Sequence, residues 1–210
     1  MSYRNRDSNV EKEISKFLDC YFYPKTVKDF IRYHDKANQL LGMDVSFSIE
    51  NYNQIIVDEK AATHYINKDI PTFAFEISFL LPSKTEVVGW LIDRSKKTEY
   101  YFLMWIKAKS NWNIKKYDIQ EISAILVSRN KIMNYLESIS YNREKLIRAN
   151  DKIRLNNLDG QLGKSKNSSV YFYSSMKLSE QPVNIIINRK ELEKIALKNF
   201  KITKEKISLI

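Results

Sequence analysis

Residues 39–60 contain two alternating apolar runs: Gln39-Leu-Leu-Gly-Met-Asp-Val-Ser-Phe-Ser-Ile-Glu-Asn-Tyr-Asn-Gln-Ile-Ile-Val-Asp-Glu-Lys60. The apolar members are Val45, Phe47 and Ile49 in the first run, and Ile55 and Val57 in the second. A polar segment, residues 50–53, separates the runs. Alternation with a period of two is typical of half-buried strands, so the pattern predicts a β-hairpin.

The apolar positions also predict the register of this hairpin. If Val45 pairs with Val57 and Phe47 with Ile55, the apolar side chains of both strands lie on one face. Side chains of successive strand residues point to opposite faces. A shift of one residue would therefore turn the apolar set of one strand toward solvent.

The same register places Asp44 opposite Asp58. Directly opposed residues have Cβ atoms about 4.5–5.5 Å apart, which brings two negative charges unfavourably close. A divalent cation shared by the two carboxylates would explain the pairing. Lys60 shares a face with Asp58, whereas Glu59 lies on the other face.

The pattern Gly42-x-Asp44, followed after thirteen residues by Asp58-Glu59-Lys60, resembles the PD-(D/E)xK nuclease superfamily. Within it, the pattern most resembles the recombination-type exonuclease branch. The similarity covers about residues 25–107. Met43 stands where that family usually has proline, and the Gln-x-x-x-Tyr motif of the branch is absent because Ala124 follows Gln120 at the tyrosine position.

This resemblance implies an α/β, restriction-endonuclease-like fold, with a mixed central sheet flanked by helices, and metal-dependent hydrolysis of DNA. Asp44 and Asp58 would bind Mg²⁺ or Mn²⁺. Lys60 would orient the attacking water or stabilise charge in the transition state. In some members a helical glutamate joins the metal site, and Glu11 and Glu13 lie on a predicted N-terminal helix, where a solvated helix face is the alternative.

Glu76 lies on a strand predicted over residues 72–81, beside the hairpin. It is a candidate further metal ligand, or else an ordinary paired glutamate. The alternative for the hairpin itself is a surface hairpin in which Lys60 pairs with Asp58 and Asp44 is a solvated turn residue.

Composition limits the class of protein. The chain has 210 residues, 43% of them hydrophobic, which suits one domain and argues against disorder. A single cysteine, Cys20, excludes a disulfide framework or a cysteine zinc site and predicts a reducing compartment. No apolar N-terminal block indicates a secretory signal. We therefore expect a soluble cytoplasmic protein with no membrane contact.

The formal net charge of +10 is typical of proteins that bind polyanions. The alternative is that the lysine content reflects an AT-rich coding sequence and that the lysines are scattered over solvated faces. The candidate nucleic-acid contacts are Gln39, Lys68, Lys96, Lys97, Lys109 and Trp112, with the lysines on phosphates and Trp112 stacking on a base. For Gln39 the alternative is an exposed helix end.

The remaining pattern predicts helices over residues 10–22, 26–41 and 118–137, a short strand at 89–93, and a further helix capped by Asn188. A strand at 98–107, apolar on both faces, is expected at the centre of the sheet. We expect a nuclease-like core over residues 1–155. A C-terminal strand-helix extension of the same domain, residues 156–210, could complete the sheet, recognise substrate or form a homodimer.

Two further hypotheses remain open from the sequence. One is a non-catalytic nucleic-acid-binding protein on the same fold, which would bind in a salt-sensitive way without cleavage. The other is a protein interaction module whose paired acids are structural, which would have no nucleic-acid affinity even at low salt.

Overall fold

The computed structural model describes residues 3–165 and 168–210, with side chains from Asp7 onward. The chain forms two compact units. The first comprises Met1–Ile70, Lys97–Ser128 and Ala196–Ile210, and the second comprises Pro71–Lys96 and Arg129–Ile195. Both units mix helices with β-sheet, so the predicted α/β class is confirmed at that level.

The helices are α1 (Tyr3–Tyr21), α2 (Tyr23–Thr26), α3 (Lys36–Leu40), α4 (Arg129–Ser138), α5 (Arg143–Leu155) and α6 (Arg189–Ile195), with a 3₁₀ turn at Thr63–Tyr65. The strands up to residue 128 are β1 (Lys28–Arg32), β2 (Val45–Ile49), β3 (Tyr52–Ala61), β4 (Thr72–Leu80), β5 (Glu86–Val88), β6 (Tyr100–Ala108) and β7 (Ile119–Ser128). The later strands are β8 (Gly160–Leu162), β9 (Val170–Ser174), β10 (Val183–Asn188), β11 (Lys198–Ile202) and β12 (Ile207–Leu209).

The first unit contains a seven-stranded mixed sheet in the order β1-β2-β3-β6-β7-β11-β12. β3 and β6 run parallel, and the other neighbours are antiparallel. Helices α1 and α2 bury their apolar residues against this sheet. Phe22, between these two helices, packs on Phe102 and Phe200 with ring centroids 5.1 and 5.0 Å away.

The predicted hairpin and its register are confirmed. Val45 pairs with Val57 and Phe47 with Ile55 across β2 and β3. All four side chains are buried in the core of the first unit. The apolar side chains of both strands therefore lie together in one core, as the alternation predicted.

The predicted central strand is also confirmed as β6. It lies between β3 and β7, and Tyr101 through Ile106 are all buried. A strand covered on both faces accommodates a continuous apolar run.

The helix predicted over residues 26–41 is wrong. Residues 28–32 form β1, which pairs with β2, and α3 begins only after Asp35. The Asp35 side chain accepts a 2.8 Å hydrogen bond from the Asn38 amide and caps this short helix. Strand pairing with β2 overrode the helical spacing of the apolar residues. Gly42, with φ +72°, then leads into β2.

The helix predicted over residues 118–137 is wrong in its first half. Residues 119–128 form β7, which pairs with β6 on one side and β11 on the other. Only residues 129–138 are helical. A short run that is apolar on several faces suits a buried strand as well as a helix, so its period alone was ambiguous.

The second unit contains a five-stranded antiparallel sheet in the order β5-β4-β10-β9-β8, with α4, α5 and α6. The strand predicted at residues 72–81 exists as β4, but it pairs with β5 and β10 rather than joining the hairpin sheet. The mixed sheet is present, but the predicted place of this strand beside the hairpin is wrong. Residues 89–93, predicted as a strand, form turns.

The C-terminal residues divide between the two units. Strands β8, β9 and β10 and helix α6 belong to the second, while β11 and β12 complete the sheet of the first. The predicted cap of α6 is present, with the Asn188 side chain accepting a 3.0 Å bond from the Lys190 amide. Within the part of the chain that the structure describes, no helix combines the length and apolarity needed to cross a membrane.

Candidate active site

The paired carboxylates lie where β2 and β3 adjoin in the first unit. Asp44 immediately precedes β2, and its amide donates a 3.1 Å hydrogen bond to the Val57 carbonyl. Asp58 follows Val57 in β3 and is only 2% exposed. The two carboxyl groups are close enough to share a hydrogen bond. The hairpin register thus brings two acids together, one of them deeply buried.

Lys60 contacts one member of this pair. Its Nζ lies 2.5 Å from Asp58 Oδ1, and 28% of its side chain is exposed. Desolvation lowers the pKa of Lys60, but the Asp58 and Asp44 carboxylates outweigh it and raise the pKa above its ordinary value. A fixed, fully charged ammonium therefore sits beside the acids. The surface-hairpin alternative also predicted an ion pair between Lys60 and Asp58. That alternative does not fit the burial of Asp58, which is only 2% exposed.

Asp44 has the strongly perturbed acidity that such a pair produces. Burial, together with the Asp58 charge, raises the pKa of Asp44 to about 8. At neutral pH the pair therefore holds a proton on Asp44. The Glu59 amide donates a 2.8 Å hydrogen bond to Asp44 Oδ2 and fixes the orientation of this carboxyl.

The donor set fits a hard divalent cation. Mg²⁺ prefers oxygen ligands and is commonly held by one or two carboxylates, with water and substrate phosphates completing the shell. Asp44 and Asp58 supply two such carboxylates. Among residues 3–165 and 168–210, no group of three or more His, Cys, Asp and Glu side chains is arranged as a fuller metal cage.

A groove of about 660 Å³ opens at this site within the first unit. Its walls come from α1, from the segment spanning β1 and α3, and from the hairpin. The polar lining includes Glu11, Lys12, Ser15, Lys16, Arg32, Gln39, Asp44, Glu59 and Lys60, while Asp58 is not part of it. Acidic and basic side chains thus share one open cleft.

The two helical glutamates differ in their surroundings. Glu11 lines the groove, where desolvation raises the pKa of its carboxyl and Lys60 opposes that shift. Glu13 instead forms an ion pair with Lys16 and accepts a 2.9 Å bond from the Lys116 amide. Of the two, Glu11 is the helical carboxylate that shares the groove with Asp44 and Lys60.

A second set of polar side chains surrounds Glu59. Its carboxylate accepts hydrogen bonds from Ser15, Tyr23 and Arg32, and Arg32 also pairs with Asp19. Glu59, like Ser15 and Arg32, lines the same groove as Asp44 and Lys60. No sequence signal identified its partners, because they come from α1, α2 and β1, which are separate in the chain.

Glu76 occupies a different sheet from the hairpin acids. It lies on β4, where it pairs with Asn184 of β10 in the second unit. Its expected position on a strand beside the hairpin is therefore wrong, since β4 has β5 and β10 as neighbours. Its role as a metal ligand stays a prediction.

Three of the candidate nucleic-acid contacts lie at or near the hairpin side of the first unit. Gln39, on α3, lines the groove and is exposed. Lys97 is exposed, and its amide donates a 2.8 Å bond to the Leu41 carbonyl. Lys68 follows the 3₁₀ turn and lies over the Tyr65 ring, 5.8 Å from its centroid.

The other three candidates lie elsewhere. Lys96 belongs to the second unit, with its Nζ 3.9 Å from Asp93. Lys109 and Trp112 lie on the loop between β6 and β7, which is not part of the groove lining. Lys109 is exposed, and Trp112 is 65% exposed, so both are accessible for binding.

No family model matches the sequence, and no curated protein or solved structure is significantly similar to it. The relationship to the PD-(D/E)xK superfamily thus stays a prediction from the hairpin motif. A function for this chain is therefore inferred from the geometry of the first unit.

Proposed function

We propose that this protein is a metal-dependent nuclease that hydrolyses phosphodiester bonds in DNA. One observation carries the proposal: Asp44 and buried Asp58 lie opposite each other across a hairpin, Lys60 contacts Asp58, and Asp44 and Lys60 line an open groove. Burial and mutual repulsion are costly for such a pair unless a cation is bound. Asp44, Asp58 and Lys60 are the proposed catalytic residues.

Asp44 and Asp58 would hold Mg²⁺ or Mn²⁺ through their oxygen atoms. The bound cation would make a water more acidic and would neutralise charge on the phosphate oxygens. The carboxylates would orient the reacting groups, because Asp58 is anchored on β3 and Asp44 directly precedes the neighbouring strand β2. Catalysis of this kind depends largely on positioning.

Lys60 would supply a fixed positive charge beside the scissile phosphate. Its contact with Asp58 holds the ammonium at the groove, and the two acids keep it protonated. A preorganised cation stabilises the charge that develops in the transition state without reorganising at the moment of reaction. Lys60 can also orient the attacking water.

The finer fold assignment, a restriction-endonuclease-like core, belongs to the same proposal. It is supported by a mixed sheet in which the acidic hairpin β2–β3 is followed by the parallel strand β6, with α1 packed against the sheet. Glu11 of α1 would add a carboxylate at the groove. We further propose a cytoplasmic location, supported by the single cysteine.

DNA would be held by electrostatic contacts outside the reacting centre. The net charge of +10 favours binding to a phosphate backbone. Gln39 lines the groove and would contact a strand there. Lys68, Lys97, Lys109 and Trp112 are exposed on the first unit and would add further contacts. These residues would set affinity and position rather than perform chemistry.

The direct Lys60–Asp58 ion pair also favours a second candidate, a non-catalytic nucleic-acid-binding protein. In that protein the pair would be structural and the basic surface alone would act. The two candidates differ in whether a divalent metal produces cleavage.

The test compares the wild type with Asp58→Ala on linear, circular and single-stranded DNA and on RNA, with Mg²⁺, Mn²⁺ or a chelator. The matched control is Glu121→Gln, since Glu121 on β7 is also a carboxylate bonded to lysines, Lys107 and Lys201, but lies outside the groove. We expect metal-dependent DNA cleavage by the wild type and control, lost in Asp58→Ala. Salt-sensitive binding without any cleavage would establish the second candidate instead.

A further inference from the structure

We infer that Glu59 is a positioning residue for the proposed site, held in place by Arg32, Tyr23 and Ser15. The inference rests on the proposed function, because the geometry that Glu59 maintains is that of Asp44, Asp58 and Lys60. Glu59 stands between the last two in the chain, and it lines the same groove as Asp44 and Lys60. Strand alternation directs its side chain to the face of β3 opposite that of Asp58 and Lys60.

The Glu59 carboxylate is buried, and neighbouring donors occupy its hydrogen-bond acceptor positions. Its side chain is 7% exposed. It accepts bonds of 3.0 Å from the Ser15 hydroxyl and 2.5 Å from the Tyr23 hydroxyl. Arg32 adds two more, at 2.8 and 3.1 Å. A carboxylate has about four acceptor positions, so little capacity remains for a metal ion.

Arg32 is itself clamped from the other side. Its Nε and Nη2 donate to Asp19 Oδ1 at 2.9 and 2.7 Å, while Nη1 and Nη2 reach Glu59. The side chain is 12% exposed. This use of the planar guanidinium between two carboxylates cannot be reproduced by a lysine, which offers one point charge.

The network reaches the proposed site through the backbone of β3. The Glu59 amide donates the 2.8 Å bond to Asp44 Oδ2. Because alternate residues face opposite sides of a strand, fixing the Glu59 side chain on one side orients Asp58 and Lys60 on the other. One anchored residue therefore controls the position of all three proposed catalytic side chains.

A purely structural role is the competing explanation. Buried ion pairs often contribute little net stability, because desolvation offsets their attraction. Three side chains from separate elements converge on the residue inside the proposed motif, and this convergence is better explained by the geometry that it imposes. Polar groups around metal-binding side chains are known to act in this way, and their loss costs about 10- to 100-fold in metal affinity or activity.

The experiment measures Mn²⁺ affinity by calorimetry, and kcat and KM on DNA, for the wild type, Glu59→Gln, Arg32→Lys and Tyr23→Phe. Glu121→Gln again serves as the matched control in the same unit. We expect Glu59→Gln and Arg32→Lys to lose about 10- to 100-fold in Mn²⁺ affinity or kcat, with an unchanged KM. Tyr23→Phe should shift the same quantities less, because it removes one donor and keeps the ring that stacks on Phe30.

Folded Glu59→Gln protein with wild-type Mn²⁺ affinity and kcat would overturn the inference while leaving the nuclease intact. The inference would also be overturned if Glu59→Gln and Arg32→Lys lost thermal stability but kept wild-type Mn²⁺ affinity and kcat. A loss of that kind is what a purely structural role predicts. If Glu59→Gln does not fold, Tyr23→Phe decides: a wild-type Mn²⁺ affinity and kcat there would also overturn the inference. A wild type that neither binds Mn²⁺ nor cleaves DNA would instead overturn the proposed function itself.

Discussion

Asp44 and Asp58 face each other across the β2–β3 hairpin, and Lys60 forms a direct ion pair with Asp58. The two acids therefore differ in their surroundings. Asp58 has a positive partner at 2.5 Å, whereas burial and the neighbouring charge raise the pKa of Asp44 to about 8. Without metal, a proton on Asp44 relieves the repulsion that a cation would relieve when bound.

Metal affinity should therefore depend on pH. A cation must displace the proton from Asp44, so Mg²⁺ affinity should rise as the pH increases and should level off above about 8. Calorimetric titrations below, at and above that pH measure the effect. An Mg²⁺ affinity that is constant across this range would contradict the prediction.

The stability of the metal-free protein should show the opposite trend. The pKa of Asp44 is 3.8 as the ordinary value and about 8 in the folded protein, so the folded state binds more protons between these limits. The contribution of Asp44 to the free energy of unfolding is therefore fully present below pH 3.8, and it is lost as the pH rises toward 8. Asp44→Asn, which mimics the protonated acid, should reduce this loss by about 1 kcal/mol or more. Urea unfolding at several pH values tests this, and equal slopes in both proteins would refute it.

Divalent metal should stabilise the folded protein. A ligand that binds only the native state adds about 2.7 kcal/mol at a concentration 100 times its Kd. Thermal melts with millimolar Mg²⁺ or Mn²⁺ should therefore show a higher Tm for the wild type and for Glu121→Gln. Asp58→Ala should not respond. A flat response in the wild type would count against the site.

Lys60→Ala should separate binding from chemistry. Metal and DNA binding should survive, because the carboxylates and the basic surface remain. Cleavage should fall about 10²- to 10³-fold, the usual effect of removing one transition-state partner. The metal-free variant should also melt earlier, since Asp58 is left buried without its cation, and Mg²⁺ should restore part of the loss. Single-turnover assays and thermal melts measure both effects, and wild-type cleavage would remove Lys60 from the mechanism.

Trp112 should contribute to binding of unpaired bases. Stacking on an exposed aromatic ring contributes about 1–3 kcal/mol per base, so Trp112→Ala should weaken single-stranded DNA binding correspondingly. Tyr173→Ala is the control, because Tyr173 is an aromatic residue of the second unit with 41% exposure. Fluorescence anisotropy with labelled oligonucleotides measures the difference. Equal losses in both variants would show that Trp112 has no special role.

The hairpin was predictable because its information is local. Period-two alternation defines the faces, and closing the apolar face admits one register, which carries Asp44 to Asp58. The N-terminal helix and the buried strand β6 followed from equally clear apolar patterns. These features depend on residues that are neighbours in the chain or lie across one short turn.

Other features depended on partners that are distant in the chain. Residues 119–128 became a strand because β6 and β11 supply hydrogen bonds on both sides, and residues 28–32 did so because β2 was available. β4 joined a second sheet through pairing with β10, more than a hundred residues later. Neither hydrophobic period nor helix capping contains that information.

The candidate site shows the same division. The sequence by itself determined which acids and which lysine lie together, since the strand period and the register require it. Tertiary structure decided how deeply Asp58 is buried, and it brought Ser15, Tyr23 and Arg32 to Glu59. Burial and long-range hydrogen bonds arise only when separate elements pack, which is why the charges and orientation of the site could not be derived from the hairpin alone.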